Sequence, residues 1–268
     1  MMTDFHTHIF PDELASHARK SLEARMLGAK MVILPTIENT LELERQNGID
    51  RIVTLSIATK PSQQRNVNDF AASVNGGPIM AFGSVHPKAP DAFEELERVK
   101  DLGLKGIKLH PFYQDFRVDD ETFFPFYEKI SSLGLITVFH AGLEFIMPNV
   151  EFIQPEALAK ALKYFDGAPV IAAHLGGFLS WDEVERYLVG ENVYFDTAYI
   201  AGRLPAEQAL RIIRSHGANR VLFGTDMPWS SPAAEREFIE DIGLTDDELS
   251  YVLHRTADEL LGAVTSCL

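Results

Sequence analysis

A single cysteine, Cys267, stands among 268 residues, so no internal disulfide can staple the chain and a reducing compartment is expected. No apolar run approaches the ~20 residues of a membrane span. The opening residues MMTDFHTH show neither the cationic stretch nor the apolar core of a signal peptide. Positive charge is scarce: 24 Lys+Arg stand against 39 Asp+Glu, a net charge of −15 with a pI near 5.0. Nucleic-acid binding needs a cationic face to release counterions from phosphates, and an anionic membrane would repel this chain. Low-complexity segments, Pro/Gly/Ser linkers and fixed-period repeats are absent from the sequence. So is a Gly-rich phosphate turn after the first apolar run, which leads into His-Ile-Phe-Pro-Asp instead. The expectation is a soluble, cytoplasmic protein with a small-molecule partner, no nucleic acid and no membrane.

With 46% hydrophobic and 10% aromatic residues the chain can fill a core. Short apolar runs rich in Val, Ile, Leu and Phe recur at 3–8, 52–57, 79–85, 106–110, 135–140, 170–174, 193–197 and 221–225. Runs apolar on both faces mark parallel strands covered by helices. Between them lie helical patterns. Phe93, Leu96, Val99 and Leu102 step by three within 92–102, with Gly103 as a stop. Further helices are expected at 121–133, 155–165 and 205–216, where Pro155 and Pro205 act as openers. Eight strand–helix alternations imply the α/β class and a closed, distorted (β/α)8 TIM barrel, a single domain over 1–268. Residues 11–35 form a small helical insertion after the first strand, and 246–262 a closing helical tail.

Polarity interrupts the apolar runs at particular points. Asp4, His6 and His8 alternate with Phe5, Thr7 and Ile9, which on a strand places all three on one face. His-x-His on a strand lets two imidazoles grip one ion. His140 ends one run, His174 another, and Asp226 follows a third. Six of nine histidines (His6, His8, His86, His110, His140 and His174) occupy such strand ends; His17, His216 and His254 do not. In a parallel barrel every carboxyl end lies on the face where active sites are built. Buried imidazoles and carboxylates are costly without partners, and several at one rim are most simply explained by a cation.

The motifs DFHTH at the start, GIKLHP at 106–111, FHAG at 139–142, AHLGG at 173–177 and FGTDMPW at 223–229 extend the pattern over essentially the whole chain. In this order they resemble the amidohydrolase superfamily, within it the amidohydrolase-2 branch that also holds the aminocarboxymuconate-semialdehyde-decarboxylase-like enzymes. The resemblance implies one divalent metal ion, usually zinc, held by His6, His8, His140 and Asp226. It also implies a catalytic pair, with Asp226 moving the proton of a metal-bound water and His174 orienting it or polarising the substrate. Asp4 would act in the outer shell on a ligand imidazole, or as a weak ligand. Lys108 shares a strand face with His110. In binuclear members a lysine there is carboxylated and bridges two ions; otherwise Lys108 would bind a substrate carboxylate or pair with an acidic residue. The mononuclear site is the expectation. Similar proteins are often dimers, so a homodimer is an option that no surface stripe demonstrates.

Two chemistries remain open: metal-dependent hydrolysis of a small-molecule amide, lactone or ester-like bond as the first reading, and non-oxidative decarboxylation of an aromatic or unsaturated acid as the second. A nuclease of the same barrel type would carry an acidic residue where this chain has Gly-Ile-Lys-Leu-His, and a scaffold barrel would not need His174 beside a full ligand set. Loop aromatics at Phe10, Phe112, Tyr113, Phe145, Phe178, Trp181, Tyr199 and Trp229, with Pro11 and Met147, imply a planar or largely apolar substrate. Arg117 and Arg203 are candidates to receive a carboxylate, and the loop 141–155 is a candidate lid.

Overall fold

The computed structural model describes residues 1–25, 28–143 and 152–262. The first half runs β1 (Thr3–Thr7), α1 (Asp12–Glu23), α2 (Ile37–Gln46), β2 (Arg51–Leu55), α3 (Gln64–Val74), β3 (Ile79–Phe82), α4 (Ala92–Asp101) and β4 (Gly106–Leu109). It continues through α5 (Phe124–Ser132), β5 (Ile136–Phe139), α6 (Pro155–Ala161), β6 (Val170–Ala172), α7 (Trp181–Tyr187), β7 (Tyr194–Asp196) and α8 (Ala206–His216). The last elements are β8 (Val221–Leu222), α9 (Pro232–Asp241), α10 (Asp246–Ser250) and α11 (Thr256–Leu261). All eight expected strands are present and parallel, and α1 occupies the expected insertion.

The strands form two ladders, β1-β2-β3 and β4 through β8 in order. Single bridges join them, Gly83 to Ile107 on one side and Thr7 to Met227 on the other. At the second seam Phe5 N donates to Phe223 O at 2.8 Å and Asp226 N to His6 O at 2.8 Å. The sheet therefore closes on itself with two loosened seams, the distorted (β/α)8 barrel that the alternation implied. Phe5, Val53, Leu55, Phe82, Ile136, Val138, Ile171 and Leu222 fill its interior. Ala257 and Leu261 of α11 close one end. Arg51, opening β2, donates to Asp258 at 2.7 Å, and Lys105, just before β4, donates to the Leu261 carbonyl, so the closed end is the amino-terminal one. That leaves the carboxyl end open for chemistry.

Outward strand residues such as Ile52, Ile107, Leu109 and Phe139 pack against the helices. Leu96 and Val99 of α4 are buried there as their spacing requires, whereas Phe93 at the helix start is 45% exposed. Helices start and stop as the punctuation indicated. Pro205 precedes α8 and Gly217 ends it at φ +102°.

The ladders stop short of the expected carboxyl ends. β6 ends at Ala172 rather than residue 174, β8 at Leu222 rather than 225. His174 and Asp226 have φ of +60° and +64°. Left-handed backbone is costly for residues with a Cβ and cannot continue a strand. These turns lift both side chains out of the sheet and over its mouth.

Candidate metal centre

β1 does not obey a strict two-residue period. Its pairing with β2 shifts register between Asp4 and Thr7, so Phe5 fills the barrel while His6 and His8 both reach the mouth. Gly224 opposite makes room, since a Cβ there would lie 3.0 Å from His6 Cβ. His6 turns Nδ1 to Asp196 Oδ2 at 2.8 Å, and His8 turns Nδ1 to the Leu55 carbonyl at 2.7 Å. Each Nδ1–H is thereby used, and each Nε2 faces Asp226 Oδ1, at 3.5 Å for His6 and 3.1 Å for His8. Among the described residues these three form the group with ligand atoms within 4.8 Å of one another. Two imidazole nitrogens and a carboxylate oxygen, each imidazole oriented from behind, suit a divalent transition metal.

Charge favours the same use. Burial and the nearby Lys108 hold His6 well below the usual imidazole range, so it is neutral and its lone pair is available. Burial alone would raise Asp226, but its hydrogen bond with His8 and the adjacent His6 and His174 rings outweigh it and hold the carboxyl below its ordinary range. Lys108 is buried, with Nζ 3.4 Å from His6 Nε2. The β4 lysine thus reaches the ligand group itself.

His140 stands beside that group rather than within it. Its Nδ1 lies 3.0 Å from His174 Nε2, and its ring stacks on His110 at 4.2 Å between centroids. His174 donates from Nδ1 to the Ala198 carbonyl at 2.9 Å, so its neutral ring accepts at Nε2 from His140. Burial and the adjacent His140 lower the His174 pKa to about 4. His110 is pushed well below its usual range by burial, then by His140.

Asp4 departs from the face that alternation gave it. Its Oδ1 accepts from the backbone N–H of His6 at 2.9 Å and of Thr225 at 3.0 Å, and Oδ2 accepts from the Thr225 hydroxyl. It ties β1 to the residues after β8; the irregular register explains why it does not follow the imidazoles. The carboxylate behind His6 is Asp196, which the sequence reading did not single out. Asp196 ends the buried strand β7 just as the other polar residues end theirs, so the signal was there. It also accepts from His174 N at 2.9 Å and Ala198 N at 3.1 Å. Asp196→Asn is expected to weaken metal affinity about 10- to 100-fold, as loss of an orienting carboxylate typically does. Competition with a calibrated chelator measures this; unchanged affinity would remove Asp196 from the site.

A cavity of about 560 Å³ opens over these residues, lined by all the imidazoles above with Lys108 and Asp226. Phe10, Tyr113, Phe178, Tyr199 and Trp229 line it as expected, Trp229 N donating to Asp226 O at 2.7 Å. Phe112 and Trp181 are not among its lining; Trp181 instead donates to the His174 carbonyl at 3.0 Å. His86 also stays outside, its Nδ1 accepting from Lys88 N at 3.2 Å. Neither expected arginine lines the cavity. Arg203 stacks 3.4 Å over the Tyr199 ring, and Arg117 pairs with Asp119 at 3.1 Å. Phe145, Met147 and most of the candidate lid lie outside the described residues.

Behind Tyr199, the buried Glu235 accepts from Ile200 N at 3.1 Å, Ala201 N at 3.0 Å and the Ser230 hydroxyl at 2.5 Å, joining the loops after β7 and β8. Burial raises its pKa from 4.5 to about 7. The folded state therefore binds an extra proton between those values, and stability falls as pH rises through that window. Glu235→Gln keeps the hydrogen bonds without the titration. From pH 5 to 8 the parent should lose on the order of 3 kcal/mol relative to this variant, read from denaturant melts. Parallel pH profiles would refute the assignment.

The amidohydrolase-2 family profile, described as Amidohydrolase, matches residues 3–263. The chain belongs to the amidohydrolase family. No curated protein sequence matches it. Among solved structures, this amidohydrolase is similar to an uncharacterised Tim-barrel protein from Bordetella bronchiseptica, with 20% identity, 98% of each chain covered and a TM-score of 0.76. A 2,6-dihydroxybenzoate decarboxylase complexed with 2,6-dihydroxybenzoate matches at 17% identity over 97% of this chain and 98% of that one, TM-score 0.70. A dihydroxybenzoic acid decarboxylase from Polaromonas sp. JS666, with bound manganese and the inhibitor 2-nitroresorcinol, matches at 17% over 97% and 96%, TM-score 0.69. At these identities the likeness is one of fold. Among the described residues no helix is long and apolar enough to cross a membrane.

Proposed function

We propose that this amidohydrolase-family enzyme is a metal-dependent carboxy-lyase, removing CO2 from an aromatic or unsaturated acid. The observation that carries the reading is the ring of aromatic walls, Phe10, Tyr113, Phe178, Tyr199 and Trp229, around the His6–His8–Asp226 group. A planar acid fits between such walls with its oxygens toward the ligand group. The decarboxylase names among the structural neighbours support the same choice. His6, His8 and Asp226 would hold one divalent ion, zinc or manganese, with His140 as a fourth ligand on rotation of its ring. Such an ion supplies a Lewis acid for the substrate's oxygens.

The residues supply the proton path. Decarboxylation breaks one C–C bond, and the carbon that loses CO2 must gain a proton. Asp226 is ionised, so it first takes a proton from an acidic ring hydroxyl of the substrate and then delivers it to that carbon. The oxyanion left behind recovers a proton from water. His174, neutral and fixed through Ala198, has its Nε2 on His140 here; with His140 turned to the ion, that nitrogen would accept from a substrate hydroxyl and orient it. Lys108 offsets the charge of the substrate carboxylate beside His6.

Hydrolysis of an amide, lactone or ester-like bond is the second reading, favoured by the placement of the Asp226 carboxylate at the cavity beside His6 and His8, where it could take the proton of an attacking water. Metal-loaded protein incubated with hydroxybenzoates and matched lactones separates the two. CO2 released from the acids supports the lyase; base uptake on the lactones without CO2 overturns it.

A further inference from the structure

We infer that the substrate carries an uncharged apolar extension, an alkyl chain or second ring, that lies between α1 and α3. This rests on the metal centre as the seat of the reacting head, but not on which bond is broken there. The cavity does not end at the aromatic mouth. It continues past Leu55 and Ile57 to Leu14 and Leu22 of α1 and Val67 and Phe70 of α3. Cavities of about 300–1,000 Å³ take drug-sized ligands, and a single-ring acid would fill only a fraction of the 560 Å³ here. Leu14 is 51% exposed although it lines this arm.

The charges lie at one end. Among the described lining residues Lys108 and Asp226 are the lysine, arginine or carboxylate side chains, and both stand at the ligand group. Toward α1 and α3 the lining has no lysine, arginine or carboxylate; its polar members there are His17, Ser21, Gln63 and Asn66. A carboxylate carried out there would lose hydration and meet His17 as the one basic side chain among the described lining of the arm, whereas methylenes would leave water for Leu14, Leu22, Val67 and Phe70. The arm therefore favours an apolar tail and disfavours a second acid group.

Straight-chain hydroxamic acids, from acetohydroxamate to decanohydroxamate, titrated calorimetrically into zinc- or manganese-loaded protein test this without turnover. Affinity is expected to rise about threefold per methylene over the middle of the series. A terminal carboxylate on the longest member should weaken binding at least about tenfold. Val67→Trp and Ala18→Phe narrow the arm from opposite sides, and each should cut the advantage of the longest over the shortest member about tenfold or more. A flat series, equal binding of the carboxylated probe, full retention of the advantage in a folded narrowing variant, or no hydroxamate binding at all would overturn the inference. Absence of CO2 release would sink only the lyase reading and leave the chain-length series standing.

Discussion

Asp226→Asn is expected to release the metal and lower turnover on the order of a thousandfold or more, since the charge that balances the ion and the group that carries the proton are lost together. Asparagine keeps the size of the side chain and tolerates the left-handed backbone at φ +64°, so the fold should persist. What changes is the donor set. The Nε2 atoms of His6 and His8 would face a neutral amide in place of a carboxylate held below its ordinary range. Metal content by mass spectrometry, measured with turnover on variant and chelator-treated parent, gives the answer. Chelation should abolish the parent's activity and added metal restore it. A variant that keeps one ion per chain and near-normal turnover would dismantle the proposed centre.

His174→Asn should behave differently: metal content near that of the parent, turnover down about 10²-fold, the cost typical of a misplaced substrate. The distinction comes from geometry. His174 spends Nδ1 on the Ala198 carbonyl and meets His140 through Nε2, outside the group of His6, His8 and Asp226. Asparagine again suits the backbone, at φ +60°. Loss of metal would reassign His174 as a ligand, and unaltered turnover would make it a spectator.

Most of the barrel was legible in the chain because parallel strands buried on both faces must be apolar throughout, and each needs a helix to return. The eight runs and the Gly and Pro punctuation follow from that requirement. Strand lengths were not legible. Runs 170–174 and 221–225 look uniform in composition, yet the ladders end at Ala172 and Leu222, and the backbone turns left-handed beyond them at His174 and Asp226. Such a turn in a residue other than glycine or asparagine has no strong sequence signature.

The candidate site divides in the same way. His6, His8 and Asp226 were visible as polar residues closing apolar strands. Asp4 was placed with the imidazoles by a period-two rule that the irregular pairing of β1 with β2 breaks. Asp196 ends β7 as the others end their strands, so the same rule reaches it. Arg117 and Arg203 sit in the expected loops but turn to Asp119 and Tyr199. The apolar arm was beyond sequence reasoning, because α1 and α3 come together only after β1 and β2 pair.

Composition, periodicity and the polar residues at strand ends were enough to determine the barrel, the rim at which those polar residues gather and the residue types that converge there, because burial imposes those choices on local sequence. Which imidazole faces the ligand group, which carboxylate stands behind it and how far the cavity extends were decided by tertiary structure alone. Those features depend on single hydrogen bonds and register shifts between segments up to 221 residues apart, and local sequence carries no record of such distances.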